Sequence, residues 1–495
     1  MADISMPIGA GTNTKAAREK LAPEALLAIV VLIASTFTVI LNEMMMAVAL
    51  PQVMVDLGIT ASTGQWLTTG YMLTMAVVIP ATGFLTERFR MRTVYTIALS
   101  LFTVGTLIAI VAPGFSVLLI GRIVQAVGTA IATPLAFTAV TALVPQSRRG
   151  QMMSLLTVAT STAPAFGPAI AGSILSVAGW RMLFITILPV ALICLIVGNR
   201  MIKVPSTPRH SKIDVLSVLL SAVGFSGVVY GLASLGEGSA EHVIVSPWIA
   251  ILVGVVFVAL FAARQLQLQK SDRALLDMRP FADRTFATTA IIALGFMTAA
   301  GGMMTLMPVM LQTSYGLTPL QTGLFMLPGG LTITVISMVV GRFYDRVGAR
   351  PLMIIGAVID AVGLYFLSTP APGTPIPVLL ATYMFIIVGQ AFLWTPTFAA
   401  SLGALNKHLL PHGSAIMNTI QQLTGAAGIA IAFSIMTSAS AAYVAGGEAL
   451  APSMAHGAQQ YYLVACFMVI VIFFIAPVMP KTKASEGSGI PVAVH

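Results

Sequence analysis

The sequence predicts an all-α membrane protein with fourteen transmembrane helices. Three features predict this class: only 8% of the 495 residues are charged, 57% are hydrophobic, and mean hydropathy is +0.95. A typical soluble domain has about 25% charged residues. So few charges cannot cover a surface that faces water, although they suffice for one that faces lipid. The composition therefore excludes a soluble enzyme, a nucleic-acid-binding protein and a disordered regulator.

The fourteen helices are predicted from apolar runs. A helix needs about 20 apolar residues to cross a bilayer. Runs of about this length occur at 25–50, 66–86, 94–112, 116–144, 151–173, 183–202, 214–235, 246–268, 286–311, 321–341, 351–369, 376–402, 413–437 and 459–480. The polar stretch Met1–Pro23 lacks the apolar core of a signal peptide, so we expect the first run to remain as a membrane anchor. Cys194 and Cys466 lie inside apolar runs, which predicts neither a disulfide nor a metal site.

The positions of the basic residues predict the orientation. Lys and Arg concentrate in the cytoplasmic loops of membrane proteins. With the N-terminus inside, 23 of the 25 Lys and Arg fall in cytoplasmic segments; Arg181 falls outside and Arg122 falls within a span. An odd number of helices would break this segregation. We therefore expect both termini to be cytoplasmic, in a bacterial inner membrane, and we interpret the net charge of +9 as a topology signal.

Two short motifs recur along the chain and predict a duplicated unit of six helices. The segment Gly83–Arg88 after the second run matches Gly341–Arg346 after the tenth, and Arg149-Gly150 resembles His412-Gly413. Chance is the alternative, but two repeats at matching positions favour duplication. The predicted organisation is a cytoplasmic tail (1–24), a first six-helix bundle (25–203), two inserted helices with a central loop (204–284), a second six-helix bundle (285–480) and a second tail (481–495).

Several motifs indicate a family. The loop pattern Gly-x-x-x-Asp-Arg-x-Gly-x-Arg is complete at Gly341, Asp345, Arg346, Gly348 and Arg350, and partial at Gly83, Glu87, Arg88 and Arg92. The fourth run contains Arg122, Gln125 and Gly128, and the fifth contains Gly167, Pro168 and Gly172 in a Gly-Pro-x-x-Gly-Gly pattern with Ala171 in one glycine position. The sequence resembles the major facilitator superfamily, above all its 14-span drug:proton antiporters, which include QacA-type and lincomycin-export proteins. The resemblance implies a major facilitator fold of two six-helix bundles plus two inserted central helices.

Three charged residues within the spans are the candidates for proton coupling: Glu43, Arg122 and Asp360. A charge at mid-bilayer costs about 3 kcal/mol on insertion scales, so it is seldom without a role. At 1.5 Å per residue, Glu43 and Arg122 both lie roughly 10 Å below the outer surface, which permits an ion pair. We hypothesise that Arg122 keeps Glu43 ionised until a proton or substrate competes. A static pair that only joins two helices is the alternative.

Asp360 has no basic neighbour in the sequence. It is a candidate second proton site or a counter-charge for a cationic drug; a hydrogen bond to a neighbouring helix is the alternative. In the first run, Asn42 stands where the family pattern has Asp, so the acid Glu43 is shifted by one residue.

The loop motifs suggest a gate, because charges at helix ends can pair in one state and separate in another; a plain topology signal is the alternative. Gly167-Pro168 interrupts helix regularity and lies beside other small residues, which suits a hinge or a sealing contact. Polar amides and one aromatic group are predicted to line a substrate cavity, since amides that face lipid would leave hydrogen bonds unmade. These cavity candidates are Asn42, Gln125, Gln390, Trp394, Asn418, Gln421 and Gln422.

The sequence has no Walker-type loop, metal-ligand cluster or nucleophile–base pair, which predicts that the protein is not an enzyme and uses an ion gradient without a cofactor. The resemblance implies a proton-coupled multidrug efflux antiporter that exports hydrophobic or cationic drugs by alternating access. The alternatives are an exporter of one endogenous compound, such as a lipid, a metabolite or a self-made antibiotic, and a non-transporting sensor or scaffold. The expected partners are small-molecule drugs, protons and the lipid bilayer, with no nucleic acid, and the protein is expected to be a monomer.

Overall fold

The computed structural model describes residues 23–143, 146–202, 214–235, 245–271, 274–369, 374–406, 409–447 and 449–480. Within these ranges, fourteen helices have twenty or more residues: α1 Pro23–Leu57, α2 Trp66–Arg88, α3 Met91–Ile110, α4 Phe115–Leu143, α5 Gln146–Leu175, α6 Arg181–Met201, α7 Val215–Ser234, α8 Pro247–Leu268, α9 Arg284–Thr313, α10 Pro319–Val347, α11 Ala349–Ser368, α12 Ile376–Gly403, α13 Leu410–Ala445 and α14 Leu450–Ile475.

The helices agree with the predicted apolar runs one for one. In the described part of the chain, twelve of them are long and apolar enough to cross a membrane, and α2 and α5 are the two outside this set. The all-α membrane class is therefore confirmed, and a count of fourteen spans stays a prediction. The predicted tails 1–24 and 481–495 lie almost wholly outside the described residues.

One cluster of contacts ties three helix ends together and defines a face of the molecule. Arg181, at the start of α6, forms an ion pair with Asp56 at the end of α1, with 3.1 Å between nitrogen and oxygen. Arg181 also donates to the carbonyl of Ala112, just after α3, and the Trp180 indole donates to Asp56 at 2.8 Å. We call this surface the Asp56 face, and we call the opposite surface, which carries the α10–α11 turn, the Arg346 face.

The first six helices and the last six pack in the same way. The pairs α3–α4, α1–α5 and α3–α6 have counterparts in α11–α12, α9–α13 and α11–α14. The crossings are alike in detail: a Cβ atom at Gly128 would lie 2.7 Å from the Phe102 nitrogen of α3, and one at Gly389 would lie 2.5 Å from the Asp360 nitrogen of α11. The packing is that expected of a duplicated unit, while the domain boundaries drawn from the sequence remain predictions.

The two halves meet through α5–α10, α2–α13 and α1–α9. At the first crossing the glycines are reciprocal: Gly172 of α5 lies against the Pro319 carbonyl, and Gly323 of α10 lies against the Pro168 carbonyl. Near the same face, the Gln312 amide of α9 donates to the Val48 carbonyl of α1 at 3.0 Å. These contacts hold the halves together at the Asp56 face.

The inserted helices α7 and α8 form a hairpin, and α7 contacts both α2 and α13. At its Arg346 end, Arg264 of α8 donates two hydrogen bonds to Asp214, at 2.6 and 2.7 Å. Gln265 donates to Ser217 at 2.7 Å and accepts from the Leu276 backbone of the central loop at 3.1 Å. The hairpin is thus fastened to the loop that leads into the second half.

The α5–α10 crossing gives a stability prediction. Gly172→Val places a side chain against the Pro319 backbone, and overpacking of this kind typically costs about 1–3 kcal/mol. We expect a lower unfolding temperature for the purified protein in detergent, measured by intrinsic fluorescence. Gly179→Val is the matched control, because a Cβ there meets no atom within 4 Å. Equal unfolding temperatures for the two variants would contradict the assigned crossing.

Candidate functional site

A buried arginine forms the centre of the candidate site. Arg122 of α4 is 0% exposed. Its Nη1 atom donates to the Asn42 side-chain oxygen at 2.9 Å and to that of Gln125 at 3.2 Å, and its Nε donates to the Leu67 carbonyl at 3.3 Å. The guanidinium carbon lies 4.0 Å from the centroid of the Tyr71 ring. A positive charge in the membrane region is therefore held by neutral oxygens and one aromatic face.

A second set of contacts fixes the groups that hold Arg122. The Gln125 amide donates to the Thr106 hydroxyl of α3 at 2.8 Å, which orients its oxygen toward the guanidinium. The Tyr71 hydroxyl of α2 and the Thr129 hydroxyl of α4 are 2.6 Å apart. The cluster thus joins α1, α2, α3 and α4, while the Arg122 Nη2 atom has no hydrogen-bond partner among the described residues.

The expected ion pair between Glu43 and Arg122 is not formed. Asn42 is the α1 side chain that binds the guanidinium. Successive residues of a helix point about 100° apart, so when Asn42 faces α4, Glu43 cannot. Residue counts place this part of α1 at the depth of Arg122, but they do not determine which of its side chains faces α4. Glu43 stays within electrostatic range of Arg122.

Glu43 lies on the edge of a partly open stripe of α1. Phe37, Ile40, Met44 and Ala47 are half-buried in the middle of this helix, and Glu43 is three residues after Ile40. Glu43 itself is 8% exposed and has no hydrogen bond or ion pair within the part of the chain that the structure describes. Its carboxyl group is therefore free to bind or release a proton without first breaking a protein contact.

The glycine–proline motif of α5 lies where three helices meet. A Cβ at Gly167 would lie 2.7 Å from the Cβ of Met44, the residue after Glu43. One turn further, Pro168 and Gly172 contact α10 as described above. The motif therefore packs α5 closely against α1 beside Glu43 and against the second half. The close packing is shown, and a role as a hinge or a sealing contact stays a prediction.

Asp360 lies away from the arginine cluster, at the crossing of α11 with α12. It is buried against Gly389, and the neighbouring Ala361 carbonyl accepts from the Cys466 thiol of α14 at 3.2 Å. The Oδ1 atom of Asp360 has no hydrogen-bond partner among the described residues. The structure therefore gives no support to a hydrogen bond from this oxygen to a neighbouring helix.

The predicted gate is only partly visible. The side chains of Glu87 and Asp345, and the surroundings of Gly83, lie outside the described residues, so the pairing across the gate is not tested. Arg92 donates to Asn199 of α6 at 2.9 Å. Gly348 joins α10 to α11 with φ of +77°, a conformation that favours glycine. Of the remaining motif residues, Arg88 and Arg346 are exposed, while Gly341 and Arg350 are half-buried.

The predicted cavity residues separate into two groups. Asn42 and Gln125 belong to the arginine cluster. In the second half, Trp394 stacks on Phe398 with ring centroids 5.4 Å apart. Three amides there have partners: Gln390 approaches the Met303 sulfur of α9 at 4.0 Å, and Asn418 donates to the Ser414 carbonyl at 2.9 Å. Gln422 approaches the Met75 sulfur of α2, across the two halves, at 3.3 Å, and Gln421 is half-buried.

Tyr71 and a polar stripe at the start of α2 were not among the residues predicted from the sequence. Gln65, Thr68 and Thr69 are buried, and their side-chain polar atoms have no hydrogen-bond partner among the described residues. Their spacing in the sequence could have predicted this stripe, because polar residues at i, i+3 and i+4 share one helix face. Tyr71 lies three residues after Thr68 on α2. Among the described residues, its ring is the only aromatic ring in cation–π contact with Arg122.

Comparison with known proteins identifies the family. The profile of the Major Facilitator Superfamily matches residues 32–429. The chain belongs to the major facilitator superfamily. It is therefore a membrane transporter for small molecules and not an enzyme.

Relatives of this transporter span nearly its full length. The MFS-type transporter YcnB of Bacillus subtilis is 36% identical over 456 residues, covering 92% of this chain and 94% of the relative. Lincomycin resistance protein LmrB of Listeria monocytogenes is 35% identical, covering 89% of this chain and 94% of the relative. Among solved structures, the D-xylose-proton symporter has a TM-score of 0.63 with 16% identity, covering 92% of this chain and 98% of that one.

The tyrosine under Arg122 gives a second prediction. Tyr71→Phe keeps the aromatic face and loses one hydrogen bond, at a cost of about 0.5–1.5 kcal/mol. Tyr71→Leu also removes the cation–π contact, which contributes about 2 kcal/mol when desolvated. We expect the unfolding temperature to fall in the order wild type, Tyr71→Phe, Tyr71→Leu. If the two variants unfold at the same temperature, the ring does not stabilise the charge.

Proposed function

We propose that this transporter exports hydrophobic or cationic drugs in exchange for protons, by alternating access, as one of the 14-span drug:proton antiporters. The observation that carries the proposal is Glu43, a buried carboxyl group without a hydrogen bond or ion pair within the described chain, one residue from the amide that binds Arg122. Relatives named for lincomycin and multidrug resistance support the drug class. The proton gradient supplies the energy, no cofactor takes part, and the monomer is the working unit.

The exchange follows from charge balance around Arg122. With Glu43 ionised, the local charge of the pair is zero; with Glu43 protonated, the arginine charge is uncompensated. A cationic substrate that enters beside Glu43 favours its ionised form, and a proton favours the substrate-free form. Binding of the cationic substrate therefore opposes binding of the proton, and the reverse also holds. A single charge that moves across 100 mV contributes about 2.3 kcal/mol, to which the pH gradient adds.

The closed Asp56 face supports an orientation and a conformational state. We place the Arg346 face, with its many basic residues, in the cytoplasm of a bacterium, on the inner membrane, as the distribution of Lys and Arg indicates. The contacts of α5 with α10 and of α1 with α9 then close the external side.

The test is reconstitution in liposomes with an imposed pH gradient and a panel containing ethidium and lincomycin. We expect wild-type protein to move substrate against its gradient, and Glu43→Gln to lose proton-driven transport while it still exchanges substrate for substrate. Glu43→Asp, which keeps a carboxyl group at the same position, is the control and should retain coupling. Full proton-driven export by Glu43→Gln would refute the coupling role. If no compound moves, the antiporter proposal itself fails, and a sensor or scaffold remains.

The polar groups at the Asp56 face supply a test of alternating access. Gln65 and Thr69 lie on the stripe of α2 that continues to Met72, which contacts Gly425 of α13. Burial of an unpaired polar group costs about 1–3 kcal/mol, whereas a formed hydrogen bond contributes roughly 1 kcal/mol. The unpaired Gln65 amide therefore opposes closure of this face, and the bond from Gln312 to Val48 favours closure.

Two similar substitutions should consequently act in opposite directions. Gln65→Leu is expected to stabilise the closed Asp56 face, and Gln312→Leu to destabilise it. Spin labels at Val177 and Leu450, which are 85% and 65% exposed on the two halves, report the separation by pulsed electron resonance. We expect the share of short distances to rise in the first variant and fall in the second. A shift in the same direction for both would contradict the assigned closure.

A further inference from the structure

An apolar groove runs along the outer surface of the first half, where the inserted hairpin lies against it. Its volume is about 370 Å³. The walls come from three helices: α2 with Gly70 and Thr74, α4 with Leu119 and Ile123, and α7 with Ala222 and Ser226. Each of its lining residues in the described chain is uncharged. The arginine cluster lies on the other side of α2 and α4 and contributes no lining residue.

The groove opens toward lipid. Ile123 in its wall is 38% exposed, and Ile120 and Val223 beside it are exposed as well. Isolated exposed apolar residues of this kind are expected where a transmembrane helix faces hydrocarbon. The groove is therefore continuous with the lipid-facing surface, so its occupant comes from the bilayer and need not cross water.

The length of the groove indicates which kind of molecule it can hold. Its lining on α2 extends over the thirteen residues from Trp66 to Val78, which rise roughly 18 Å along the helix. One leaflet of hydrocarbon is about 15 Å thick, half of the total of about 30 Å. On α4 and α7 the lining covers one turn each, from Leu119 to Ile123 and from Ala222 to Ser226. An uncharged groove that follows α2 over the depth of one leaflet fits an extended acyl chain. A compact, charged drug would leave its charge without a counter-group there.

The end of the groove at the Asp56 face has the aromatic groups typical of the membrane interface. Trp66 of α2 and Tyr230 of α7 lie 6.2 Å apart between ring centroids. Trp and Tyr concentrate at the level of lipid headgroups, where one part of the ring is apolar and another is polar. The headgroup of a lipid whose chain filled the groove would lie beside this pair.

The position of the groove gives the bound lipid a structural role. Phe225 and Val229 of α7 pack in one cluster with Leu73 of α2 and with Ala426 and Ala430 of α13. The same helix therefore touches both halves near the Asp56 face. Leu73 of this cluster also lines the groove.

We propose that the groove between α2, α4 and α7 binds one acyl chain of a phospholipid in the Asp56-side leaflet, which completes the packing of the inserted hairpin against the first half. The recognised chemistry is the hydrocarbon chain, because the described lining offers no charge to a headgroup. The site is separate from the proposed transport route and does not depend on it.

Native mass spectrometry of the full chain, released from nanodiscs of palmitoyl-oleoyl phosphatidylcholine, tests the proposal. We expect wild-type protein to retain one phospholipid and Ala222→Phe, which fills the groove, to lose it. Ala263→Phe is the matched control: Ala263 is exposed on α8 outside the groove, and this variant should retain the lipid. Ser226→Phe replaces Ala222→Phe if the latter does not fold.

A second readout uses Trp66 as the sole tryptophan, with Trp180, Trp248 and Trp394 changed to Phe. Phosphatidylcholine with brominated acyl chains should quench its fluorescence, and Ala222→Phe should reduce this quenching. Retention of the lipid by the folded groove-filling variant would overturn the proposal, as would its loss from the Ala263→Phe control. Displacement of the lipid by ethidium would overturn it too, because it would assign the groove to substrate.

Discussion

The first half of this transporter is organised around the need to satisfy one positive charge inside the membrane. An isolated charge cannot be left bare in hydrocarbon, and a full ion pair would neutralise it permanently. Arg122 instead binds two amide oxygens, a backbone carbonyl and the face of Tyr71. These groups come from α1, α2 and α4, with α3 orienting Gln125. The packing of four helices therefore depends on this guanidinium.

Holding Arg122 with neutral groups leaves Glu43 uncommitted. Had Asn42 been an acid, it would have been the direct partner of the arginine at 2.9 Å, and Glu43 would have been a second acid beside a neutralised pair. The Asn42 amide fixes the position of Arg122 without neutralising it, so the arginine charge can still interact with the Glu43 carboxyl group. The shift of the acid by one residue in α1 thus separates two tasks: Asn42 positions the arginine, and Glu43 is left to exchange protons in the proposed mechanism.

The duplicated halves share their packing but not their chemistry. Gly105 contacts Gln125 at the α3–α4 crossing as Gly363 contacts Ile386 at the α11–α12 crossing. By the same correspondence Tyr383, three residues before Ile386, occupies the place of Arg122, and it packs on Gly329 and Phe325. Asp360 corresponds to Phe102 rather than to any member of the arginine cluster. The fold repeats because glycines set the helix separation, whereas a buried arginine at this position occurs in only one of the two described copies.

The sequence by itself determined the membrane class, the approximate bounds of the helices and the short list of intramembrane charges. Each of these depends only on the order of residues along the chain. A span is recognised by the length of its apolar run, and a buried charge by the apolar residues on both sides of it. Only the tertiary structure decided which helices are neighbours and which way each side chain points. Residue counts predicted that Glu43 and Arg122 lie at the same depth. Because Asn42 and Glu43 point about 100° apart on α1, it is the Asn42 amide that binds Arg122. Tyr71 lies in the site and Asp360 lies outside it because helix packing determines which faces of α2 and α11 point toward Arg122. The positions of residues along the chain do not contain this information.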